Sequence, residues 1–195
     1  MTVLYTAREV FDQSTEKYGK TWSDYFDYAQ IPHLTEVVSL DGLLNGTVPA
    51  LDYNKADGDD WNFIHTDGLF PTGLFPTGLF TSPDYILRKT TSESRFNLLA
   101  VVINPEQDCS RILLDGYEFV GYDLLEKDYS VSVVTNCFGL VGACLPTEVN
   151  ARGLIDDYAL AFVIQKRLFD NNPTVDHVDT NVMAIWRHKT IGRQA

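Results

Sequence analysis

Residues 153–188, GLIDDYALAFVIQKRLFDNNPTVDHVDTNVMAIWRH, hold the two most regular patterns in the chain. From Gly153 to Asn171 the apolar residues recur with a helical period. Ile155, Ala159, Phe162 and Phe169 follow one line, and Leu154, Tyr158, Ala161 and Leu168 follow the next. Asp156 and Asp157 fall in the expected first turn and Lys166 and Arg167 near the end, which suits the helix dipole. So broad an apolar surface predicts a helix buried against a sheet. Asn171-Asn172-Pro173 closes it, because proline cannot continue a helix. From Val178 to His188 the pattern changes to alternation, with Val182, Ala184 and Trp186 set against Met183, Ile185 and Arg187. That is the period of a strand.

Upstream, Phe96–Ile103 (FNLLAVVI) reads as a strongly apolar strand closed by Asn104-Pro105. Arg111–Leu114 reads as a second strand, with Asp115-Gly116 as a hairpin turn into Tyr117–Leu125. Tyr129–Asn136 (YSVSVVTN) alternates and is rich in β-branched residues, giving a further strand. Short connections favour antiparallel neighbours. Strands followed by a helix and a last strand predict an α+β fold. It is a mainly antiparallel sheet with one long C-terminal helix packed on it and an irregular, turn-rich N-terminal half.

In that first half, Thr6 and Glu9 have capping-box spacing and predict a helix over Ala7–Tyr18 stopped by Gly19. Trp22, Tyr25, Phe26 and Tyr28, interleaved with Asp24 and Asp27, suit a short helical turn. Glu36–Leu40 reads as a short strand. Between residues 41 and 67, six acids face one base, Lys55. A small repeat follows: Gly68-Leu-Phe-Pro-Thr, Gly73-Leu-Phe-Pro-Thr, Gly78-Leu-Phe-Thr-Ser. A five-residue unit is far shorter than a solenoid repeat. It is expected to pack its own apolar side chains, or to offer them to another chain as a homo-oligomer contact over residues 68–82. Residues 1–188 are expected to form one domain, with a helical and aromatic lead-in (1–44), an acidic and repeat region (45–83) and a sheet-plus-helix body (95–188). Residues 189–195 are expected to be a flexible basic tail.

The chain has 195 residues, 45% of them hydrophobic, enough to bury a core. Asp and Glu number 27 against 15 Lys and Arg, a formal net charge of -12. This argues against general nucleic-acid binding, which draws its affinity from Lys and Arg on phosphate. No continuous apolar run reaches the roughly 20 residues of a membrane span. The N-terminal residues lack the pattern of a secretory signal, and three cysteines cannot all pair within one chain. A cytoplasmic setting is expected.

Motifs for chemistry are sparse. Neither G-x-G-x-x-G after a strand, nor a Walker loop, nor a G-x-S-x-G elbow, nor H-E-x-x-H, nor C-x-x-C occurs. The order Cys137, His177, Asn181 (with Asp179) is that of cysteine hydrolases, in which an imidazole activates the thiol and a third group orients the ring. Cys137 follows a strand and is not placed at a predicted helix N-terminus, where a thiolate is stabilised. His65 and Asp67 share a face if extended, and Asp57, Asp59 and Asp60 lie nearby, a conceivable divalent-metal set. The register of a calcium loop fails there, because Gly58 at its sixth position puts Tyr53 at the first. Glu118 and Asp123 fall on opposite faces of one strand by parity, which argues against their cooperation. No cofactor is expected.

Residues 116–188 carry, in order, Gly121-Tyr-Asp-Leu-Leu, Thr135-Asn136-Cys137, Gly153-Leu-Ile-Asp-Asp-Tyr, Gln165-Lys-Arg-Leu and Asn181-Val-Met-Ala-Ile-Trp-Arg. This order resembles uncharacterised bacterial proteins of immunity or interaction type. The resemblance implies a bacterial binding protein and brings no activity or site residue with it. The expectation is therefore an acidic protein-binding module, of the kind that neutralises a basic toxin or nuclease. Trp22, Asp24, Tyr25, Asp27 and Tyr28, with Asp57, Asp59 and Asp60, would supply the contact. A small hydrolase using Cys137 and His177 is the alternative.

Overall fold

The computed structural model describes residues 1–17, 19–42, 44, 45, 48, 51, 78–91, 95–127, 131–138, 142–171, 174 and 177–192. In chain order the elements are β1 (Leu4–Glu9), β2 (Glu16–Lys17), β3 (Lys20–Thr21), α1 (Trp22–Tyr28), α2 (Asp84–Lys89), β4 (Phe96–Ile103), β5 (Tyr117–Glu126), α3 (Tyr158–Asn171) and β6 (Thr180–His188). A 3-10 turn, Pro146–Glu148, lies between β5 and α3. The main sheet is four-stranded and antiparallel in the order β1-β4-β6-β5. With a C-terminal helix against it, this is an α+β architecture. The expected antiparallel sheet and its long helix are present, although β6 inserts between β4 and β5, so the strands nearest in sequence are not neighbours.

The alternation in β6 divides the sheet as its sequence implies. Val182, Ala184 and Trp186 join Ala100, Val102, Tyr122 and Leu124 beneath Ala161, Ile164 and Leu168 of α3. Met183 and Ile185 join Leu99, Val101 and Leu125 on the opposite face, under Val38, Leu40 and Leu154. The helix is shorter than expected and begins at Tyr158. Asp157 stands before it as the cap, its side chain accepting from the N–H of Leu160 at 2.7 Å.

Four further expectations are corrected. Residues 4–9 form β1 and not the start of a helix, because six residues ladder onto β4 and bury Leu4 and Ala7. That long-range pairing outweighs a weak local helix signal. The capping box that operates is Thr21 with Asp24, at the start of α1. Glu36–Leu40 is not a strand; its backbone bonds irregularly to the carbonyls of Ala151 and Arg152. Arg111–Leu114 forms no strand either, and the described part of Tyr129–Asn136 is no continuous one: residues 133–136 are turn, and Ser132 makes an isolated bridge to Leu125. In the basic tail, residues 189–192 are tied down. Lys189 donates to the Gly116 carbonyl at 2.9 Å, and the Gly192 carbonyl accepts from Phe96 at 2.8 Å.

Strand β5 carries an irregularity that changes which side chains meet. A bulge between Phe119 and Gly121 adds one residue, so Glu118 pairs with Arg187 and Asp123 with Met183. Both acids thus lie on the same face, correcting the parity reading, since a bulge inverts alternation beyond it. Gly121 is required there. Its φ is 137°, and a Cβ would sit 2.6 Å from Leu154 Cβ and 3.1 Å from the Ile155 carbonyl oxygen.

Candidate functional site

Helix α1 is short and well capped. Thr21 Oγ1 accepts from the N–H of Asp24 at 3.1 Å, while the Asp24 carboxylate accepts from Thr21 Oγ1 at 2.8 Å and from its N–H at 3.2 Å. Those two hydrogen bonds, the hydroxyl's first, hold the Asp24 carboxyl below its ordinary pKa. The helix buries Trp22 and Phe26, which pack on each other at 5.7 Å between ring centroids, and Phe26 meets Phe11 at 5.7 Å. Tyr25 is half-buried, its hydroxyl donating to the Asn136 carbonyl at 2.5 Å. Burial first, then Cys137 and Asp41, pushes its phenol up to about 12.

The five residues expected to meet a partner therefore divide. Trp22 is 1% exposed and belongs to the core, because its ring fills the space between α1 and the sheet body. Tyr25 anchors the helix to the turn at Asn136. Asp24, Asp27 and Tyr28 face outward at helical spacing, and Tyr28 is 81% exposed. The Lys20 ammonium lies 5.8 Å above the Tyr28 ring centroid. Asp57, Asp59 and Asp60 lie outside the described residues, as do His65 and Asp67. Among the described residues, no three or more His, Cys, Asp or Glu side chains group to hold a metal ion.

A second polar region was not singled out from sequence. Asp41 and Asp123 are fully buried. The Asp123 carboxylate accepts from Ser39 Oγ at 3.0 Å, Ser132 Oγ at 2.7 Å and the Leu124 N–H at 2.8 Å. Asp41 accepts from the Ser132 N–H at 2.8 Å and Asn136 Nδ2 at 2.9 Å. Ser132 Oγ in turn accepts from Thr135, and Asn45 supports Ser39 and the Glu9 and Val37 carbonyls. Burial pushes the Asp123 carboxyl up to about 6, opposed by the bonds from Ser132 and Ser39. A buried carboxylate persists only when its oxygens are bonded, and these are. The network latches Ser39, Asp41 and Asn45 and the turn at 132–136 onto β5. The signal for it in the sequence is one acid, Asp123, inside an otherwise apolar stretch.

The Cys137, His177 and Asn181 set is distributed over three environments. Cys137 is half-buried beside Tyr25. The His177 ring meets the Glu126 carboxylate through Nδ1, and Asn181 Oδ1 accepts from Asn104 Nδ2 at 2.6 Å. Asp179 pairs with Lys127. A cavity of about 700 Å³ between the start of β1 and residues 104–109 is lined by none of these candidates. No helix among the described residues is long and apolar enough to cross a membrane. Comparison with known protein families, curated proteins and solved structures finds no match to this chain.

Proposed function

We propose that the protein is an acidic binding module, of immunity or inhibitor type, that engages a basic protein through the outward face of α1. The observation that carries this reading is Tyr28, 81% exposed, with the outward-facing carboxylate of Asp24 one helical turn back and that of Asp27 next to it in the chain. An aromatic face attracts a cation, and Lys20 already occupies that position over the ring. A partner's Lys or Arg would displace Lys20 and gain the two carboxylates besides. The net charge of -12 adds a long-range field that speeds encounter with a basic surface more than it tightens the final complex.

The test is capture from a bacterial lysate on immobilised protein at low and high salt, comparing wild type with Tyr28→Ala and Asp27→Lys. The expected result is a basic protein retained at about 50 mM salt, released at about 500 mM, and bound at least about tenfold less by either variant. Retention indifferent to salt and to both substitutions would overturn the reading.

A further inference from the structure

The last copy of the Gly-Leu-Phe repeat is placed against the outer edge of β1. Tyr5 donates to the Phe80 carbonyl at 2.8 Å and accepts from the Phe80 N–H at 2.9 Å, a two-bond bridge on the side of β1 away from β4. Successive side chains of an extended chain point to opposite sides. Leu79 accordingly joins Leu4, Leu99 and Val101 on one face of the sheet. Phe80 joins Ala7, Leu98 and Tyr85 on the other, with its ring 4.9 Å from that of Tyr85. Both are almost fully buried, at 2% and 3% exposure. Gly78 enters the bridge at φ 70°, a conformation that favours glycine.

The site thus makes three demands in order: a residue free to take positive φ, a Leu-sized group on one face and a Phe-sized ring on the other. Gly68-Leu69-Phe70 and Gly73-Leu74-Phe75 carry the same three residues in the same order. Proline follows Phe in both, at Pro71 and Pro76, where the placed copy has Thr81. Neither bond of the bridge uses the N–H of that following residue, so proline forfeits neither of them. Only three residues separate Phe80 from α2, and seating an upstream copy lengthens that link by five or ten. Loop-closure entropy grows only logarithmically with length, so the longer link is tolerated.

We propose that the β1 edge is a recognition site for Gly-Leu-Phe segments, for which the three copies of one chain compete. The repeat is then a set of interchangeable occupants for a sheet edge that would otherwise expose unpaired backbone groups. The experiment is residue-resolved amide exchange on the full chain, wild type against Leu79→Ser with Phe80→Ser. When the third copy is disabled, an upstream copy takes its place. Exchange at the Phe75 or Phe70 amide is expected to slow by at least about tenfold relative to wild type, while Tyr5 stays protected to within about tenfold. Unchanged exchange at both Phe70 and Phe75 would overturn the proposal, whatever happens at Tyr5. If the double variant does not fold, Leu79→Ala is read by the same criterion. Slowing that depends on protein concentration and accompanies a dimer in sizing would assign the occupant to a second copy and overturn competition within one chain.

Discussion

The two faces of the sheet are closed by different means. Under α3 the contact is mainly apolar: Ala161, Ile164 and Leu168 rest on Tyr122, Leu124, Val182, Ala184 and Trp186, and Gln165 adds one hydrogen bond to the Thr180 carbonyl at the margin. On the other face an irregular segment, residues 36–42, lies over Leu99, Leu125, Met183 and Ile185 and is fastened by the carboxylates of Asp41 and Asp123. A regular helix needs only area and shape to stay in place. A segment without regular structure leaves backbone donors to satisfy, and buried side chains must supply the acceptors. The second face therefore depends on a few directed bonds where the first depends on many weak contacts.

The largest expected effect lies on the helix face. Trp186→Ala removes a side chain in a residue 1% exposed that packs edge-on against Phe119 and donates through Nε1 to the Ile112 carbonyl. Urea unfolding is expected to show a loss of about 3–5 kcal/mol. Next comes Asp123→Ala, which strands Ser39 Oγ, Ser132 Oγ and the Leu124 N–H, for a loss of about 2–3 kcal/mol. Here the comparison is sharpened by amide exchange. Protection should fall first at Ser39, Asp41 and Ser132, whose N–H groups bond within the network, while α3 keeps its own. Equal loss over both faces would break the distinction.

A smaller effect follows from the same carboxyl. Its pKa in the fold, about 6, stands above the ordinary aspartate value, so the folded chain binds this proton more tightly than the unfolded one. The contribution is therefore fully present below the unfolded value and is lost as pH rises through 6. The unfolding free energy of wild type relative to Asp123→Asn, which cannot titrate, should grow by about 2 kcal/mol between pH 7 and pH 4.5. A difference flat with pH, or one of opposite sign, would remove Asp123 as the titrating group. The least effect on stability is expected from Tyr28→Ala, within about 0.5 kcal/mol in urea, because an exposed ring supports little of the fold. Its consequence belongs to binding.

What could be read from sequence follows the same division. The α3 and β6 patterns are periodic, and periodicity survives because each residue's facing is set by its own element. The two faces of β6 were legible to the residue, although which of them meets α3 was not. The cover over the far face was not legible either, since Ser39, Asp41, Asn45 and Ser132 come from separated stretches whose meeting no local pattern encodes. Residues 4–9 misled for a related reason: Thr6 and Glu9 satisfy a local rule, but pairing with β4 is a distant event. The short helix at Trp22–Tyr28 was legible as a helix, while the division of its aromatics into buried Trp22 and exposed Tyr28 depended on where Phe11 and Asn136 came to lie.

The bulge in β5 has a consequence for how this strand tolerates change. Because one supernumerary residue separates its two halves, the first half and the second keep opposite frames. Excising Val120 would return β5 to plain alternation with every cross-strand partner kept, Glu118 still opposite Arg187 and Asp123 opposite Met183. The strand thus carries here a spare residue, whose loss costs its own buried side chain and the local bend but moves no other side chain to the wrong side.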